Sequence, residues 1–83
     1  MKIRFKLFAG LTELLPPTRK SNVVELEVED GTSVQQMIDL YRIPPRNAHL
    51  VLLNGLYIAP AERPASRLSE GDELAIWPPV AGG

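Results

Sequence analysis

The chain has 83 residues, a net charge of −1, one histidine and no cysteine. This length predicts one small domain, and the lack of cysteine excludes a disulfide, a thiolate nucleophile and a thiolate metal site. A single histidine excludes a multi-histidine metal site within one chain. No cluster of lysine and arginine offers a footprint for nucleic acid. No apolar run approaches the roughly 18 residues of a membrane helix and no signal-peptide pattern is present, so we expect a soluble, cytoplasmic protein without a membrane partner.

Two alternating segments begin the predicted sheet. Residues 2–8 alternate between basic and apolar side chains, which is typical of a half-buried strand, although Phe8 falls on the basic, outward side. A short helix is predicted over residues 10–15. Residues 23–29 alternate again, with three glutamates directed outward. If the two strands pair, three basic residues could lie opposite these three glutamates, and that pairing would favour one register.

A helix is predicted after the Asp30-Gly31 turn. Thr32 or Ser33 is placed to cap it, and Gln35 or Gln36 is placed to complete a capping box. The apolar residues that follow have helical spacing and are expected to face the core: Val34, Met37, Ile38 and Tyr41. The proline pair at 44–45 ends the helix, because a residue that precedes proline avoids the α region.

The second half of the chain contains the remaining strands. Residues 50–53 are continuously apolar, which predicts a central strand covered on both faces. Asn54-Gly55 predicts a hairpin turn into a brief strand over residues 56–58. Residues 59–66 contain two prolines and are predicted to be mostly loop. The last strand covers residues 74–77 and ends at Pro78, because proline cannot donate to a strand ladder.

An aromatic patch is predicted on the outer face of the sheet. If Leu74 and Ile76 face the helix, Ala75 and Trp77 point outward, and Trp77 could lie near Phe8. Exposed aromatic side chains of this kind mark sites where partners bind. We therefore take Phe8, Ala75 and Trp77 as candidate partner contacts. The alternative is that Trp77 simply packs against the sheet edge.

The order of elements predicts the fold class. Strand, strand, helix, strand, short strand and strand correspond to an α+β protein of the β-grasp, or ubiquitin-like, class. We expect a mixed sheet of four to five strands with one main helix packed on one face. The predicted domain covers residues 1–77, and residues 78–83 form a flexible tail that ends in Gly-Gly.

The tail has few features besides its end group. Pro78 and Pro79 favour a stiff, extended conformation. Val80, Ala81, Gly82 and Gly83 are thin, and six extended residues reach about 20 Å. The reactive group of the tail is the α-carboxylate of Gly83, and Gly82 leaves room around it. The alternative is an ordinary short flexible end without a function.

Several motifs together are shared with one known family. They are Leu-Phe-Ala at 7–9, Gly-Thr-Ser-Val at 31–34, Leu-Asn-Gly at 53–55, Leu68 with Glu-Gly-Asp-Glu at 70–73, and Trp-Pro-Pro-Val-Ala-Gly-Gly at 77–83. With these motifs the chain resembles the MoaD/ThiS family of ubiquitin-like sulfur carriers, and most closely the MoaD branch, the small subunit of molybdopterin synthase.

The resemblance implies a role as a carrier that is not itself an enzyme. An E1-like adenylyltransferase would adenylate the carboxylate of Gly83 with ATP, and a sulfur donor would convert it to a thiocarboxylate. The tail would then enter the large subunit of molybdopterin synthase, which supplies the catalytic residues. The chain itself would bind no cofactor and no metal.

Three other functions fit the same residues. The carrier could deliver sulfur to the thiazole of thiamine or to another sulfur metabolite. The chain could instead be a ubiquitin-like modifier that is joined through Gly83 to lysines of other proteins. It could also be a plain interaction module whose tail has no chemical role.

Overall fold

The computed structural model describes residues 1–80, so Ala81, Gly82 and Gly83 of the predicted tail lie outside the described residues. The strands are β1 (Lys2–Leu7), β2 (Val23–Glu27), β3 (Leu50–Leu53), β4 (Leu56–Tyr57) and β5 (Glu73–Trp77). The α-helix α1 covers Val34–Leu40. Short 3₁₀ helices cover Ala9–Leu14, Pro45–Asn47 and Pro60–Glu62.

The strands form one mixed sheet in the order β2-β1-β5-β3-β4. The β1–β5 pair is parallel and the other three pairs are antiparallel. This arrangement, with α1 as the main helix, confirms the predicted α+β β-grasp class. The strand that comes last in the sequence therefore lies in the middle of the sheet.

The prediction that residues 50–53 form a central strand covered on both faces is wrong. β3 is the second strand from one edge, between β5 and the two-residue β4. Val51 is fully buried, but Leu50 on the opposite face is 37% exposed. The apolar residues of this run therefore lie on two faces of the sheet: Val51 is in the core, and Leu50 is on the outer face.

The core lies between α1 and one face of the sheet. The helix contributes Val34, Met37 and Ile38, which are at most 2% exposed. Tyr41 follows them with helical spacing and packs on Phe5 of β1, with ring centroids 5.0 Å apart. The helical spacing of the sequence thus predicted this face correctly.

The charged pairs across the outer face differ from the expected set. The β1–β2 register places two basic residues opposite glutamates, namely Lys2 opposite Glu27 and Arg4 opposite Glu25. Lys6 lies opposite Val23, so the third expected pair does not form. Instead, Arg4 Nη1 and Lys6 Nζ both lie 3.3 Å from Glu73 Oε1 on β5. The reason is the parallel β1–β5 register, which brings Glu73 beside Arg4.

Two local signals are realised as predicted. Ser33 caps α1 with a capping box: its Oγ accepts from the Gln36 N–H at 3.1 Å, and the Gln36 side chain accepts from the Ser33 N–H at 2.8 Å. Asn54 and Gly55 have φ values of 51° and 84°, the left-handed conformation that a tight β3–β4 hairpin requires.

We expect Ser33→Ala to lower the free energy of unfolding by about 1 kcal/mol, because α1 loses its N-cap acceptor. Urea denaturation measures this loss. Ser69→Ala is the matched control, since the Ser69 side chain is exposed and makes no hydrogen bond within residues 1–80. Equal midpoints for the two variants would contradict a stabilising role of the capping box.

Candidate functional site

The last two residues of β5, Ile76 and Trp77, form the root of the tail, which is hydrogen-bonded on both sides. The carbonyl of Ile76 accepts a hydrogen bond from the Phe8 N–H, and the carbonyl of Trp77 accepts one from the His49 N–H, each at 3.1 Å. Pro78 follows directly and has no N–H to donate, so the ladder ends there. The position from which the tail starts is therefore fixed by the segments that flank β1 and β3.

The residues after this root become increasingly exposed. Pro78 is half-buried, Pro79 is exposed, and Val80 is 80% exposed. The predicted chemical residues, Gly82 and Gly83, and their neighbour Ala81 lie outside the described residues. Their roles stay predictions from the sequence.

Phe8 and Trp77 form a stacked pair on the outer face of the sheet. Their ring centroids are 3.9 Å apart and the ring planes differ by 8°. The parallel register pairs Leu7 with Ile76, which brings the next residues of both strands side by side. The predicted proximity of the two aromatic residues is thus confirmed.

The patch extends onto β3. Leu50 lies opposite Trp77, and Leu52 lies opposite Ala75, so both leucines share the outer face. We call Phe8, Leu50, Leu52, Ala75 and Trp77 the aromatic face. The sequence pattern did not identify the two leucines, because a continuous apolar run does not show which residues point outward. Only the β3–β5 register reveals it.

The expected role of Ala75 needs a correction. Ala75 lies on the outer face as predicted, but it is only 6% exposed. Its methyl group is short, and it lies between Lys6 of β1 and Leu52 of β3 in the register of the sheet. A molecule on this face would therefore meet the side chains around Ala75 rather than Ala75 itself.

A charged area adjoins the aromatic face. Glu73 lies between Arg4 and Lys6, and the three side chains are 27–51% exposed. Ion pairs with this much solvent contribute little to stability. The area balances much of its own charge, so the apolar residues beside it are the stronger candidates for partner contact.

The described residues offer no other chemistry near the tail root. Within residues 1–80, no group of three His, Asp or Glu side chains could hold a metal ion. None of the helices in this part of the chain is long and apolar enough to cross a membrane. Burial raises the pKa of Tyr41, but this residue packs on Phe5 on the helix side of the sheet.

Comparisons with known proteins find a matching family model and solved structures with the same fold. The model of the ThiS family matches residues 5–83. A search of the curated proteins gives no match. The crystal structure of SAMP1 from Haloferax volcanii is 29% identical, with a TM-score of 0.67 and full coverage of both chains. A second crystal structure, of H. volcanii small archaeal modifier protein 1, is 27% identical, with a TM-score of 0.69 over 95% of this chain and 98% of that one.

A third solved structure shares the fold at lower identity. It is a complex of subunits 1 and 2 of the molybdopterin-converting factor from Helicobacter pylori 26695. The matching chain is 17% identical, with a TM-score of 0.59 and full coverage of both chains. At this identity the likeness shows the fold alone.

The stacking of Phe8 on Trp77 predicts a coupling energy of about 0.5–1.5 kcal/mol in a double-mutant cycle. The reason is that stacked rings stabilise the fold by more than the free energy expected from their buried apolar area. The cycle uses Phe8→Leu, Trp77→Leu and the double variant, measured by urea denaturation. A control cycle of Phe8→Leu with Leu56→Ala should be additive, since β5 and β3 separate the two positions. Additive effects in the first cycle would contradict a stabilising stack.

Proposed function

The chain belongs to the ThiS family, and we propose from this that it is a sulfur carrier whose Gly83 carboxylate is converted to a thiocarboxylate for molybdopterin synthesis. The proposal includes a cytoplasmic location. The observation that carries it is the tail root: the central strand ends at Trp77 with both flanking hydrogen bonds made, Val80 beyond it is 80% exposed, and Gly82 and Gly83 follow in the sequence.

The chemistry follows from the groups available. A carboxylate is a poor electrophile, so it must first gain a leaving group. An E1-like adenylyltransferase would join the Gly83 carboxylate to the α-phosphate of ATP and release pyrophosphate. A sulfur nucleophile from a donor would then displace AMP at the acyl carbon. Because the chain has no cysteine, it offers no side-chain thiol to hold this sulfur.

The aromatic face is the proposed docking surface for the partners. Its core is apolar and near the tail root, and aromatic residues often dominate the energy of protein interfaces. The Helicobacter structure is named as a complex of two subunits, one chain of which has the present fold. This name supports the proposal that a large subunit, which supplies the catalytic residues, receives the tail of this chain.

We expect incubation with ATP, the E1-like activator and a sulfur donor to raise the intact mass by the difference between one sulfur and one oxygen. Intact-mass spectrometry measures the change. A chain extended by one alanine after Gly83 is the control and should stay unchanged, because its glycine carboxylate is then an amide. An unchanged mass of the native chain, with an activator proven on its own substrate, would refute the carrier role.

Docking on the aromatic face gives a separate prediction. Leu50→Glu should weaken binding to the large subunit by at least about tenfold, because it places a charge beside Trp77. Leu56→Glu is the matched control, since Leu56 is 72% exposed and pairs with Leu53 rather than with the aromatic face. Isothermal titration of both variants against the large subunit measures the effect. Equal affinities for Leu50→Glu and the native chain would place the interface elsewhere.

A second function is favoured by the likeness to a small archaeal modifier protein. In this alternative, Gly83 is joined to lysines of other proteins through the same activated carboxylate. The discriminating observation is an isopeptide-linked remnant of residues 68–83, ending in Gly-Gly, on lysines after tryptic digestion of cell proteins, since Arg67 is the last tryptic site of the chain. Its recovery, with loss in a strain whose chain lacks Gly83, would establish the modifier role.

Recovery of a thiazole synthase instead of a molybdopterin synthase subunit with the purified chain would redirect the carrier proposal to thiamine.

A further inference from the structure

Arg63 is a buried cation without a counter-ion among residues 1–80. Its side chain is only 4% exposed. Nη1 donates to the carbonyl of Ala48 at 2.8 Å, and Nε donates to the carbonyl of Ile58 at 3.1 Å. Nη2 is buried and has no hydrogen-bond partner within the described residues. Buried charges are normally paired, because an unpaired charge in a medium of low dielectric is costly.

No carboxylate within residues 1–80 forms a salt bridge with this guanidinium: the ion pairs there involve Met1, Arg4 and Lys6 as the cations. Two neutral carbonyls satisfy two of the five N–H groups of Arg63. They orient the side chain, but they do not supply a negative charge. The Arg63 side chain thus joins the segments at Ala48 and Ile58 by hydrogen bonds, but its positive charge is not balanced by a carboxylate of residues 1–80.

Arg63 also lines an open depression of about 360 Å³. The depression lies beside α1, β4 and the 3₁₀ helices at Pro45–Asn47 and Pro60–Glu62, and its volume is at the lower end of the range for small-molecule sites, about 300–1,000 Å³. Its polar lining residues include Arg46, His49, Gln35 and Tyr57. Arg46 and His49 are exposed at the rim.

The charges of this lining are of one sign. Arg63 and Arg46 are cations, and no aspartate or glutamate lines the depression. Asp39 accepts a hydrogen bond from Gln35 at 2.9 Å but is not a lining residue. Two other depressions of the surface each include a carboxylate, from Glu25 in one and from Glu27 and Glu29 in the other.

We propose that this depression binds a tetrahedral oxyanion of the phosphate class. Arg46 and His49 at the rim donate to its oxygens, and the buried charge of Arg63 stabilises it from below. Arginine suits this role because its planar group presents paired donors and stays charged at any working pH. The oxyanion supplies the negative charge that no carboxylate of residues 1–80 places beside Arg63.

The site is adjacent to the tail root but separate from it. The N–H of His49 holds the carbonyl of Trp77, while the side chain of His49 is at the rim of the depression. None of residues 78–80 lines the depression. The inference therefore does not rest on the proposed function, and it would stand if Gly83 were never activated.

The test is a titration of the ¹⁵N-labelled chain with inorganic phosphate, at constant ionic strength maintained with sodium chloride. We expect saturable shifts at the Arg63 Nε–H and at the backbone amides of Arg46 and His49. Arg46→Gln should weaken the apparent affinity by at least about tenfold, because a charge-assisted hydrogen bond is lost. Arg19→Gln is the matched control and should bind like the native chain, since Arg19 is exposed and outside this lining.

The phosphate group could belong to a nucleotide or be the free anion. A parallel titration with AMP distinguishes these two sources. Tighter binding of AMP than of phosphate identifies a nucleotide phosphate as the ligand, and equal or weaker binding identifies the free anion. The spectrum of each variant shows whether it is folded, and His49→Gln provides a second rim variant if Arg46→Gln is not. Shifts that chloride alone reproduces, or equal phosphate affinity of Arg46→Gln and Arg19→Gln, would overturn the proposal.

Discussion

The placement of β5 between β1 and β3 determines most of what this small protein presents to other molecules. Leu74 and Ile76 are fully buried against the core, while both edges of the strand are hydrogen-bonded to neighbours. A strand held in this way cannot fray without breaking two ladders and exposing the core. The tail therefore leaves from the best-anchored part of the sheet, although chain ends are usually the least ordered parts of a domain.

Local signals of the sequence predicted the elements well. The Ser33 capping box, the helical spacing from Val34 and the Asn54-Gly55 hairpin each depend on residues close in the chain, so a short segment determines them. The β-grasp class followed from the order of these elements. Family resemblance predicted the membership that the family match over residues 5–83 now shows.

Long-range features were harder to predict, because alternation shows which residues share a face but not which strand lies beside it. The ion pairs of Glu73 and the burial of Ala75 both depend on the parallel β1–β5 register. The outward position of Leu50 depends on its pairing with Trp77. Arg63 gave no sequence signal, because it lies in a proline-rich segment whose path over Ala48 and Ile58 is determined only by the folded chain.

The same tail chemistry serves a sulfur carrier and a protein modifier, so the tail cannot by itself determine which partner receives it. An activated glycine carboxylate reacts with whatever nucleophile is brought to it. The choice must then depend on surfaces of the body that are close to the tail root. The aromatic face, with its stacked Phe8–Trp77 pair, is one such surface. The difference between the proposed functions therefore lies in what docks on the sheet.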